Sequence, residues 1–62
     1  MKNKNLYLIE IYAKSSNNRT ATFLCDREEL TGTRVNFFKD GEHVMYYDIR
    51  QCYHKKTPFQ TT

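Results

Sequence analysis

The side chains with the most reactive chemistry are Cys25, Cys52, His43 and His54, four groups of the kinds that hold zinc in a tetrahedral site. Their spacing argues against that use. There is no Cys-x-x-Cys pair, and Cys52 and His54, one residue apart, are not a usual chelating step. The simpler reading is two reduced thiols serving as small core residues, with histidines at the surface. No nucleophile motif, phosphate-binding glycine loop, dinucleotide fingerprint or His-Glu-x-x-His stretch occurs, and the two glycines stand singly. A chain of 62 residues also leaves little material for a concave site with a supporting shell. The expectation is a non-enzymatic protein with no cofactor, no metal and no small-molecule substrate.

Binding chemistry is better represented. Ten Lys and Arg against seven Asp and Glu give a formal charge of +3, and the pI is near 9.0. Both ends of the chain are basic: Lys2 and Lys4 precede the first acid at Glu10, and Arg50, His54, Lys55 and Lys56 follow the last at Asp48. Arg34, Arg50, Tyr53, His54, Lys55 and Lys56 are the ingredients of a nucleic-acid surface, where cations track phosphates and rings stack on bases. Asp40, Glu42 and Asp48 interrupt any continuous positive stripe, so nucleic-acid binding is the alternative expectation. The first expectation is docking on a larger partner protein, as inhibitor, adaptor or regulatory subunit, with self-association into a homodimer as one form of it. Leu8, Tyr12, Phe38, Met45 and Tyr47 are the candidate anchors, because they fall outside the inferred core face and belong to types enriched in interfaces.

These residues must be positioned by strands. Asp40-Gly41, between RVNFFK and EHVMYY, is a strong hairpin signal, since a two-residue type I′ turn needs φ > 0 at both central positions. The turn sets Lys39 against Glu42 and Phe38 against His43. Continued regularly, it sets Phe37 against Val44, Asn36 against Met45 and Val35 against Tyr46, making Val35, Phe37, Val44 and Tyr46 the core face. Residues 5–14, NLYLIEIYAK, read as a first strand with Tyr7, Ile9, Ile11 and Ala13 inward. A turn centred on Asn17-Asn18 leads to a second strand from Arg19 to Cys25, placing Ile11 opposite Leu24 and Tyr12 opposite Phe23. Residues 26–30 read as a connector with at most one helical turn, stopped near Gly32. Beyond Tyr47 the pattern fits either a strand or a helical turn, ended by Pro58.

The fold class expected is all-β: one domain over residues 1–62, an antiparallel sheet of four to five strands, strongly bent or closed as an SH3-like barrel, with loose ends at 1–4 and 60–62. Such a chain buries only about 60% of its unfolded surface, so association is a common supplement. The apolar run after Lys4 is broken by Glu10 and is too short for a secretory leader, and no stretch reaches the roughly 20 apolar residues of a membrane span. A soluble, cytoplasmic protein with no membrane partner is therefore expected.

Overall fold

The computed structural model describes residues 5–59; the expected loose ends, 1–4 and 60–62, lie outside the described residues. The fold is all-β: strands β1 (Leu6–Ala13), β2 (Arg19–Cys25), β3 (Arg27–Thr31), β4 (Arg34–Lys39), β5 (Glu42–Asp48) and β6 (Cys52–Phe59). They form two antiparallel three-stranded sheets, ordered β2-β1-β6 and β3-β4-β5. The sheets are not closed into a barrel, and there are six strands, rather than four to five, with no helical turn among the described residues.

Each sheet has a central strand that carries the core. Ile9 and Ile11 of β1 and Val35 and Phe37 of β4 are buried, together with Cys25 at the end of β2. Tyr7, Ala21, Phe23, Met45, Tyr47 and Cys52 pack against them. The inward assignments of Tyr7, Ile9, Ile11, Val35 and Phe37 follow from period-2 alternation. Phe37 is the hinge of this packing. Its ring meets Phe23 edge-on at 5.1 Å, His54 edge-on at 5.2 Å and Tyr47 in a stack at 6.0 Å, joining three strands besides its own.

The Asp40-Gly41 turn is present with φ of 54° and 81°, the double positive φ of a type I′ hairpin, and Lys39 faces Glu42 and Phe38 faces His43. The register then shifts between Phe37 and Phe38, so Phe37 faces Met45, Asn36 faces Tyr46 and Val35 faces Tyr47. A one-residue bulge inverts the faces of everything beyond it. Met45 and Tyr47 therefore lie against the core, where Val44 and Tyr46 were expected, and the latter two are 43% and 53% exposed.

Residues 27–31 form an edge strand paired with β4, not a connector. All five are exposed. The hydrophobic period is silent there, and the strand is held by its backbone ladder. One residue, Asp26, separates β2 from β3, so a nearly continuous strand passes from one sheet to the other. Its amide donates to the Phe38 carbonyl at 2.9 Å, and its carboxylate accepts from the Asp40 amide at 2.9 Å, fastening the corner to the β4–β5 turn.

The β1–β2 register also differs from the regular expectation. Ile11 faces Ala21 and Tyr12 faces Arg19, with a bulge between Ile11 and Tyr12. The turn is longer than two residues: the Asn17 amide donates to the Ala13 carbonyl at 2.7 Å and Asn17 takes a φ of 61°, a conformation asparagine tolerates. After a turn at 49–51, β6 runs along β1 from Cys52 to Phe59, passing through Pro58. A proline is accommodated because β6 is an edge strand, with one side free of ladder bonds.

Candidate functional site

Three groupings of side chains result, one between the sheets and one on each outward face. Between the sheets, the Tyr47 hydroxyl lies 2.6 Å from His54 Nδ1. Burial first, then the Glu28 carboxylate and Cys52, push the Tyr47 hydroxyl up, so it stays protonated. His54 Nε2 lies 3.7 Å from Glu28, which is also 3.8 Å from Lys56. The cluster links β3 and β5 of one sheet to β6 of the other. The geometry of this set is that of a fastening between the two sheets.

Cys25 faces Tyr7 and Cys52 faces Ala13, at opposite ends of β1. At about 3.3 Å per residue they stand roughly 20 Å apart, far beyond disulfide reach. Burial pushes the Cys25 thiol up, away from thiolate chemistry. Among the described residues no three or more His, Cys, Asp or Glu side chains gather in an arrangement able to hold a metal, and no helix is long and apolar enough to cross a membrane.

The outward face of β2-β1-β6 carries Leu8 paired with Leu24 on one side and with Thr57 on the other, and Leu6 paired with Phe59. Farther along, Tyr12 stacks on Tyr53 with centroids 5.3 Å apart, and the Tyr53 hydroxyl donates to Asn17 at 3.0 Å. Glu10 lies between the two apolar groups, paired with Arg19 at 3.0 Å, and Lys55 sits 5.5 Å over the Tyr12 ring.

The outward face of β3-β4-β5 is different in kind. Arg27 lies over the Phe38 ring at 4.2 Å, Phe38 meets His43 at 5.4 Å, His43 meets Tyr46 at 6.0 Å, and Arg34 lies over Tyr46 at 4.6 Å. His43 Nε2 is 2.9 Å from Asn36 Oδ1, which fixes the ring. The five side chains make one continuous run, with the Phe38 and His43 rings edge-on, the His43 and Tyr46 rings tilted by 30°, and a guanidinium at each end; we call it the ladder.

No family model, characterised protein or solved structure matches the chain.

The expected docking set therefore divides. Leu8 and Tyr12 share the outward face of β2-β1-β6, Phe38 belongs to the opposite outward face, and Met45 and Tyr47 are turned to the core by the bulge. The expected basic set divides further. Arg34 is in the ladder; Arg50 is in the β5–β6 turn, bound to Asp48 at 2.9 Å; Tyr53 and Lys55 lie with Tyr12; His54 and Lys56 reach Glu28. Arg27, His43 and Tyr46 were not expected to act together. Arg27 lies in a segment whose sequence reads as a connector, and a regular register places Tyr46 inward.

Proposed function

We propose that the protein is a non-enzymatic module that docks on a partner protein through the outward face of β2-β1-β6, self-association into a homodimer being one form of that docking. The observation that supports this reading is the row of Leu6, Leu8, Leu24 and Phe59 beside the Tyr12–Tyr53 stack, on a sheet face turned away from the core. An apolar and tyrosine-rich centre edged by Glu10, Arg19 and Lys55 has the anatomy of an interface core with a polar rim. Leu8 and Tyr12 are the anchors, being on the central strand. Cytoplasmic action is part of the proposal, since two thiols held far apart suit a reducing compartment.

The test is site-specific photocrosslinking in producing cells, with a photoreactive residue at Thr57, exposed on this face. The expected result is a small set of discrete adducts, to other proteins or to a second copy, that disappears with Leu8→Lys while circular dichroism stays that of the parent. Adducts unchanged by Leu8→Lys in a folded protein would overturn the assignment of this face.

A further inference from the structure

We infer that the opposite face, the outward surface of β3-β4-β5, is a second binding surface whose ligand is single-stranded nucleic acid. Phe38, His43 and Tyr46 form the stacking platform, and Arg27 and Arg34 are the phosphate contacts. Three aromatic rings follow one another at 5.4 and 6.0 Å, and each terminal ring carries a guanidinium at 4.2 or 4.6 Å. A run of rings with a cation at each end suits a flexible polyanion with planar bases, and an acidic protein segment would use only the cations. The ladder draws on all three strands of a sheet, so its spacing is set by backbone pairing and not by a mobile loop.

Charge supports the same ligand. Two carboxylates share this face and each is met by a cation: Glu29, opposite Asn36, lies 3.7 Å from the ladder's own Arg27, and Asp48, opposite Arg34, is held by Arg50 at 2.9 Å. The guanidiniums rest on the rings in the unbound protein, yet Arg27 and Arg34 are exposed, as are His43 and Tyr46. An exposed cation–π contact is worth less than the base stacking that replaces it, so a swing of each guanidinium toward phosphate is favourable overall. A duplex offers base edges and not base faces in its grooves, which limits this platform to unpaired strands.

The experiment is fluorescence anisotropy of the intact protein with labelled single-stranded DNA, single-stranded RNA and duplex DNA of one length, across a salt series. Single strands should bind more tightly than duplex, with log K falling linearly in log salt. Phe38→Leu and Tyr46→Leu, which keep apolar bulk, should each weaken binding about tenfold with the salt slope unchanged. Arg27→Ala and Arg34→Ala should each reduce the slope by about 0.7, one phosphate's worth for a single strand. DNA and RNA binding equally would assign the contacts to base faces and phosphates, and a preference for RNA would add the 2′-hydroxyl; both outcomes support the surface. Absence of binding at low salt would overturn the inference. So would competition by polyglutamate as effective as by unlabelled strand, or a slope that responds to Lys55→Ala and Lys56→Ala but to neither arginine. Circular dichroism of each variant separates lost binding from lost fold.

Discussion

Asp48 shows what one exposed side chain can contribute. Its Oδ1 accepts from the Arg50 amide at 2.8 Å and Nε at 3.1 Å, and its Oδ2 accepts from Arg50 Nη2 at 2.9 Å. These bonds, the side-chain ones first, hold the carboxyl at about 2 against an ordinary value of 3.8. A carboxyl whose value is lowered by folding stabilises the fold above its unfolded value and loses that contribution as pH falls through its folded one. The β5–β6 turn should therefore weaken between pH 3.8 and about 2. Asp48→Asn should show a smaller drop in urea midpoint over that range than the parent, and an equal drop would assign the acid response to other groups. The size of the effect is small, because the pair is open to solvent. The arginine here was expected to be available for phosphate, and the sequence already held the reason otherwise: Asp48 and Arg50 are two residues apart on either side of a turn position.

At the level of elements, the β4–β5 hairpin rests on its turn. Gly41 sits at a φ of 81° with open space where a Cβ would project. Gly41→Val meets no clash but must hold a β-branched residue in the left-handed region, at a cost of about 1–2 kcal/mol. A thermal melt should show that loss, and an unchanged melting temperature would mean the turn had reverted to another type. This turn was legible because Asp-Gly has a specific backbone meaning, and the bulge beside it was not. VMYY is apolar in either phase, so a shift by one residue exchanges one plausible face for another, and only the packing of Met45 and Tyr47 against Phe37 decides. For β3 the reason is the reverse. Arg27 to Thr31 buries no side chain, so no periodic signal exists, and the strand follows from its pairing with β4. The ladder was illegible for both reasons at once, since it needs β3 to supply Arg27 and the bulge to turn Tyr46 outward.

For the molecule as a whole, the margin of stability is narrow. Among the described residues, five buried apolar side chains make the core of a body extending 42 × 23 × 12 Å. At about 0.05–0.15 kcal/mol per residue, a chain of 62 residues is stable by roughly 3–9 kcal/mol. Phe37→Ala would remove about 3–5 kcal/mol, comparable with the whole, because the Phe37 ring contacts Phe23, Tyr47 and His54 across both sheets. The expected outcome is loss of the near-ultraviolet signal and of a cooperative melt at room temperature, with Phe37→Leu retaining both. A cooperative melt within a few degrees of the parent would show that the two sheets do not depend on this ring.

The pairing of β6 with β1 has a consequence in time. The β1–β2 and β3-β4-β5 pairings join neighbours in the chain, whereas Leu8 meets Thr57 and Tyr12 meets Tyr53 only after nearly everything between has been laid down. Long-range pairing of this kind closes late and slows folding. During synthesis β1 therefore waits with one side unpaired, and its LYLIEIYA sequence is the sort of bare edge that neighbouring unfinished chains can capture. The pairing of β6 thus determines how long each new copy remains vulnerable to aggregation.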